Sequence, residues 1–179
     1  GGQYIEQTLL TRLKRSTGID ALSPIHRIDR ETAGLVAFSK RPEDRNAYQA
    51  LFREKAVTKV YEAIAAYRED LSYQFPIHHY SRIEESDAFM QMHEVTGEPN
   101  SDSLIELLEV KGAWAKYQLE LGTGKKHQLR VHMQWLGHPI LGDKFYASAA
   151  GLKAAPRLQL HAAWLSFRHP THQEWVEFS

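Results

Sequence analysis

Residues 113–121 alternate with a strict period of two. Ala113, Ala115, Tyr117, Leu119 and Leu121 fall on one side, and Trp114, Lys116, Gln118 and Glu120 on the other. That period belongs to an extended strand with one buried face; a helix would scatter the same residues around its circumference. The preceding Leu104–Val110 run and the Lys111-Gly112 pair predict a hairpin, because glycine supplies the positive φ that tight turns require. Val57–Ala66 alternates as well and predicts a strand, while Ala33–Phe38 reads as a short buried one. Leu158–Phe167 and Trp175–Phe178 predict closing strands around a His169-Pro170 turn.

Helices are fewer. A short one is expected around Gln7–Arg15. Pro42 suits the first turn of another, with Ser39 as capping candidate and Ala47, Tyr48, Leu51 and Phe52 as its apolar stripe. Leu129, His132, Met133 and Leu136 take the i, i+3, i+4 and i+7 places of a helix from about Lys126 to Leu136, with Gly137 at its C-terminal cap. The acidic middle, with Pro76 and the polar stretch Glu94–Ser103, reads as loops around short strands. Hairpin-joined strands with a few helices predict an α+β fold: a single domain, 1–179, with a mixed, mostly antiparallel β-sheet and flanking helices.

The 179 residues suffice for one core. The chain contains no cysteine, which removes disulfide frameworks, thiolate zinc sites and thiol nucleophiles. That suits a cytoplasmic location. No apolar run approaches the roughly 20 residues of a membrane helix. The formal charge is zero, yet it is unevenly spread. From Arg12 to Lys59 there are 11 basic against 6 acidic residues, from Arg68 to Glu109 2 against 10, and from Lys111 to Lys144 6 against 2. Two basic blocks that meet in the fold would make a face for a polyanion; apart, each is only a solvated surface.

Two clusters could carry chemistry. In Ile25-His26-Arg27-Ile28-Asp29-Arg30-Glu31-Thr32-Ala33-Gly34, a carboxylate stands between two arginines just before a strand. Neighbouring positive charge favours its ionised form, which fits a nucleophile or anchored base; a surface ion-pair network is the plainer use. In Gly122-Thr123-Gly124-Lys125-Lys126-His127-Gln128-Leu129-Arg130, two glycines precede a helix N-terminus, an arrangement that can turn amides toward an anion or serve only as a tight turn. Arg130 reads by default as a rim residue that snorkels to water. Tyr61 in Thr58-Lys59-Val60-Tyr61 would ordinarily pack a core. His127 and His132 are five apart with no Glu between them, and adjacent His78 and His79 point apart in extended chain, so no metal is expected.

Together and in this order, the segments resemble the RluA-type family of RNA pseudouridine synthases. His26 to Leu35 is similar to the family's HRLDxxTSGL signature and Lys59-Val60-Tyr61 to its K-x-Y element. Thr123 to His132 is similar to TGRTHQIRVH, and Leu136 to Asp143 to the LGHPIxGD that follows. Leu160-His161-Ala162 and Phe167-Arg168-His169-Pro170 match the closing element. Ala33 replaces a usual Ser, Ile28 a usual Leu, and Lys125-Lys126 a usual Arg-Thr. The family's upstream strand and Lys-Pro segment, and a separate S4 domain, are not found, so the chain is expected to be the catalytic domain without its leading edge.

The resemblance implies isomerisation of a uridine in ribosomal or transfer RNA to pseudouridine, with no cofactor and by a monomer. Asp29 would attack C1′ or remove a C2′ proton. Arg130 would pair with Asp29, Tyr61 would stack on the uracil, and Leu129 would wall the pocket against water. His26 and Arg27 are candidates for holding the surroundings of the flipped nucleotide, and Lys125 and Lys126 for phosphate contacts. The alternative is an RNA-binding module of the same fold without turnover.

Overall fold

The computed structural model describes residues 8–71, 74–88 and 90–179. Its elements run α1 (Leu9–Thr17), β1 (Ser23–Pro24), β2 (Ala33–Gly34), β3 (Phe38–Ser39), α2 (Arg45–Arg53), β4 (Val57–Ala66) and β5 (Ile77–Glu85). They continue with β6 (Met92–Val95), β7 (Ser101–Lys111), β8 (Trp114–Leu121), α3 (Gln128–Trp135), α4 (Ala149–Ala154), β9 (Leu160–Arg168) and β10 (Trp175–Phe178). The expected class holds: helices beside a mixed, mostly antiparallel sheet. Among the described residues no helix is long and apolar enough to cross a membrane.

The described residues group into two compact units, one of 8–28, 36–57 and 167–176, the other of 29–35, 58–166 and 177–179. In the smaller unit, α1 is capped at both ends: the Thr8 hydroxyl accepts the Thr11 N–H at 3.2 Å, and Gly18, at φ 68°, donates to the Lys14 carbonyl. Gln7, the expected start of this helix, lies outside the described residues. β1 and β3 pair antiparallel, Ser23 opposite Ser39. The Ser39 hydroxyl donates to the Arg41 carbonyl and does not cap α2, which starts only after a turn at 42–44. The Tyr48 hydroxyl bonds His169 Nε2 at 2.8 Å.

In the larger unit the strand order is β9-β4-β8-β7-β5-β6, with β2 parallel to β9. β7 and β8 form the predicted hairpin about Gly112, φ 61°, with a register shift between Leu107 and Glu109. The period-two reading of β8 holds, since Ala115, Tyr117 and Leu119 are all 2% exposed or less. Each large apolar side chain buried in this way contributes about 1.5–3 kcal/mol. Tyr61, Ala63 and Ala65 bury the same way on β4, whose boundaries match the expectation.

Two expectations fail. Ala33–Phe38 is not one buried strand. Ala33 and Gly34 pair with β9, Phe38 and Ser39 pair with β1, and Ala33 and Gly34 are exposed. Gly34 sits at φ 101° with a would-be Cβ 2.3 Å from the Ala162 carbonyl, so the backbones touch and the next residue, Leu35, donates to that same carbonyl. The acidic middle is not mainly loop either. β5 spans nine residues between β6 and β7, with Ser81 and Ile83 buried and charged residues facing out.

Helix α3 starts at Gln128 because His127 adopts a left-handed conformation, φ 55°. All of Gln128 to Met133 is buried, so the helix is covered beyond its apolar stripe. Gly137, φ 81°, terminates it as expected.

Candidate active site

Asp29 stands on a turn closed by Thr32 N–H to the Asp29 carbonyl at 3.1 Å, four residues before β2 docks on β9. β9 neighbours β4, which carries Tyr61 opposite Leu119 of β8. Beyond α3 the chain returns to β4. Ala66 N–H donates to the Pro139 carbonyl, Leu141 N–H donates to the Ile64 carbonyl, and Ala65 bridges Ile140. Gly142, φ 70°, then packs so closely on Arg157 that a Cβ would lie 1.9 Å from its carbonyl, and Asp143 follows.

These paths meet at Arg130. It is 3% exposed, which overturns its default reading as a snorkelling rim residue. Nε and Nη2 donate to the two oxygens of Asp143, each at 2.7 Å, and Asp143 is itself fully buried. Nη1 reaches Asp29 Oδ2 at 3.5 Å. The fork is bidentate and fixes the guanidinium plane, so the third nitrogen arrives at Asp29 in a set direction. The plane also lies 5.4 Å from the Phe145 ring centroid and 5.2 Å from that of Tyr146. Asp143 is anchored in turn, with Oδ1 accepting the backbone N–H groups of Phe145 and Tyr146. Burial opposes the charge on Arg130, but the hydrogen bonds and charge of Asp143 outweigh it and raise the pKa above its ordinary value.

Sequence reasoning misses Asp143 as a site residue, although it closes the Leu136–Asp143 segment that carries part of the resemblance. Its signal in the sequence is the Gly142-Asp143 pair; that the carboxylate is buried and the glycine at φ 70° appears only in the structure.

Tyr61 is 7% exposed, and burial, reinforced by the charge of Asp29, pushes its phenol up to about 12. It is therefore protonated at neutral pH, able to donate a hydrogen bond and not a resting base. Leu129, 4% exposed, precedes Arg130 on α3. Lys125 is exposed, whereas Lys126 lies 3.6 Å from Glu85. Lys59 is half-buried, its amine lowered by burial against the pull of Asp102, and it lies 3.6 Å from where a Cβ on Gly124 would stand. His26 and Arg27 belong to the smaller unit. There His26 Nε2 accepts the Ala37 N–H and the ring stacks on Phe52 at 4.9 Å, while Arg27 is exposed.

His79, Glu94 and His132 bring potential ligand atoms within 4.8 Å of one another. His132 is already engaged. Nε2 contacts the Ser81 and Ser101 hydroxyls, and Nδ1 faces the Ser103 hydroxyl, which accepts from Gln128 Nε2. The ring ties α3 to β5 and β7 and leaves no lone pair free for a metal unless that network breaks. Burial, with His79 second, pushes His132 down to about 3. The unfolded chain takes up this proton near the ordinary histidine value of 6.5 and the folded one near 3, so the stability contributed is full above pH 6.5 and drains away as pH falls toward 3. His127 and His138, also lowered by burial, act in the same sense. Urea unfolding should show stability falling on acidification below pH 6.5, and His132→Asn should flatten that limb. An equally steep limb in the variant would assign it to other groups.

Comparison with known proteins agrees with this architecture. A family model described as RNA pseudouridylate synthase matches residues 2–135. The dual-specificity RNA pseudouridine synthase RluA of Pasteurella multocida (strain Pm70) is 34% identical over 99% of this chain and 80% of its own length. The ribosomal large subunit pseudouridine synthase C of Vibrio parahaemolyticus is 33% identical over 88% of this chain, which spans about half, 51%, of that relative. Among solved structures, human RNA pseudouridylate synthase domain containing 1 superposes with a TM-score of 0.81 at 26% identity, covering 97% of this chain and 74% of that one.

Proposed function

The chain belongs to the RNA pseudouridylate synthase family, and on that premise we propose that it isomerises a uridine of ribosomal or transfer RNA to pseudouridine at Asp29. The reaction breaks the N1–C1′ bond, turns the uracil and joins C5 to C1′. Substrate and product are isomers, so the balance calls for no co-reactant. Asp29 acts on the ribose, by attack at C1′ or removal of a C2′ proton. Arg130 orients that carboxylate through the nitrogen not held by Asp143. Tyr61 stacks on the base near C5, and Leu129 keeps water from the loosened sugar. A stacked uridine is out of reach, so the nucleotide flips out at a cost of a few kcal/mol, offset by contacts to the RNA backbone.

The observation that carries this reading is the buried Arg130 fork, two nitrogens on Asp143 and the third on Asp29, beside a phenol that feels the Asp29 charge. The test is to incubate the protein with ribosomal and transfer RNA from cells that lack it and to map pseudouridine by derivatisation and sequencing. New pseudouridine at discrete uridines is the expected result. RNA that is bound but never modified would make the chain a binding module instead.

Lys125 and Lys126 differ as phosphate contacts. Lys125→Ala should lower affinity across RNA sequences and reduce the salt slope by about one. Lys126→Ala should change it less, because Glu85 already offsets part of that charge. Equal slopes in Lys125→Ala and wild type would take Lys125 off the RNA-facing surface.

A further inference from the structure

The imidazole of His127 stands within the field of the Asp29–Arg130 pair and has no part in the scheme above. It is 7% exposed, and its backbone is left-handed, φ 55°. A side chain with a β-carbon adopts that conformation at a cost of about 1–2 kcal/mol, so the surroundings must hold it there. Those surroundings are specific. The ring lies nearly parallel to Phe145, 5.6 Å between centroids at 24°. Nδ1 is 2.9 Å from the Tyr146 hydroxyl, and that hydroxyl accepts the Met92 backbone N–H at 2.8 Å.

With one lone pair taken by Met92, the Tyr146 hydroxyl is free to direct its own hydrogen to Nδ1, and in that pairing the imidazole hydrogen resides on Nε2. Burial first, and the charge of Arg130 second, hold the pKa below the ordinary histidine range, while Asp29 pulls the other way without prevailing. The ring is thus neutral at physiological pH. The hydrogen bond to Tyr146 engages Nδ1 and leaves Nε2 without a hydrogen-bond partner among the described residues.

We propose that His127 is a further catalytic residue, its Nε2–H fixed by Tyr146 and donating a hydrogen bond to a uracil carbonyl as the N1–C1′ bond breaks. The inference rests on the reading of Asp29 given above. Heterolysis leaves the bonding pair on uracil, and the negative charge spreads from N1 to O2 and O4. A preorganised donor at one of those oxygens strengthens its bond as the charge develops, which lowers the barrier more than it improves binding. When C5 attacks C1′ the base becomes neutral, and the C5 proton then departs as N1 takes one up, so the product base is neutral too. His127 keeps its proton throughout, so the balance of atoms and charge is unchanged. Tyr146 is a positioning residue that acts through the tautomer.

The test combines two variants with altered substrates under single turnover. His127→Phe keeps a ring beside Phe145 and removes the donor. Its rate should fall on the order of 10²-fold with RNA affinity little changed. Replacing the target uridine by 2-thiouridine or 4-thiouridine weakens one acceptor at a time. One of the two should slow the wild type and cost His127→Phe nothing further. Tyr146→Phe leaves His127 in place, and ring-nitrogen NMR should show the Nε2–H form giving way to a mixture as the rate drops. A folded His127→Phe with the wild-type rate overturns the proposal, as does a wild-type spectrum of an Nδ1–H or protonated ring at neutral pH. If His127→Phe does not fold, Tyr146→Phe and the wild-type spectrum decide. A wild type that forms no pseudouridine fails the underlying reading and takes this inference with it; an active wild type matched by His127→Phe fails this inference alone.

Discussion

Asp29→Asn should abolish pseudouridine formation, lowering the single-turnover rate on the order of 10⁴-fold or more, while RNA affinity and melting temperature stay near those of the wild type. The amide matches the carboxylate in shape and can still accept from Arg130 Nη1. That hydrogen bond gives up its charge, and at 3.5 Å it is too long to contribute much to stability. What disappears is the anion that, in the proposed reaction, attacks C1′ or takes the C2′ proton. A second readout is independent of turnover. The Asp29 charge is the smaller of the two causes that raise Tyr61, after burial, so the Tyr61 phenol should titrate below about 12 in the variant, as followed by tyrosine ring NMR. Retained turnover would remove Asp29 from the chemistry. An inactive variant whose Tyr61 titrates as in wild type would mean that carboxylate and phenol do not share a cavity.

The difference between what the sequence made legible and what it hid is a difference between local and long-range causes. The boundaries of β4, the β7–β8 hairpin and the buried face of β8 follow from alternation and one glycine turn, which are properties of adjacent residues. The start of α3 falls two residues later than the pattern predicts because His127 is left-handed, a conformation set by Tyr146 and Phe145, 19 and 18 positions downstream. β5 is obscured because its exposed positions carry His78, Tyr80 and Glu84 and leave no continuous apolar run to mark a strand. At the site, Asp29, Tyr61 and Arg130 stand out only through several motifs in order, since each alone has a plainer structural use. The fork on Asp143 could not be derived from spacing. It requires Gly142 to press against Arg157 and the chain at 139–141 to run beside β4, and both are tertiary facts.

Asp143→Ala should be the most destabilising single change at this site and should also inactivate the protein. Arg130 would keep its charge at 3% exposure with only the 3.5 Å approach to Asp29 remaining. Breaking a buried pair from one side costs about 3–5 kcal/mol, which for a chain of this size corresponds to a fall in melting temperature on the order of 10 °C. The backbone N–H groups of Phe145 and Tyr146 lose their acceptor as well, which adds to the destabilisation. Stability alone would not show what the fork is for, so the decisive variant removes both partners. Arg130→Met with Asp143→Leu replaces the pair by apolar side chains of similar bulk and should recover most of the melting temperature, because a buried ion pair contributes little net stability over a well-packed apolar substitute. Activity should not return with it. In the proposed reaction Asp29 would then lack the guanidinium that orients it, and the deficit should appear in the single-turnover rate and leave RNA affinity largely intact. A double variant that regained stability and turnover together would show that the fork serves the fold alone and that Asp29 works without it.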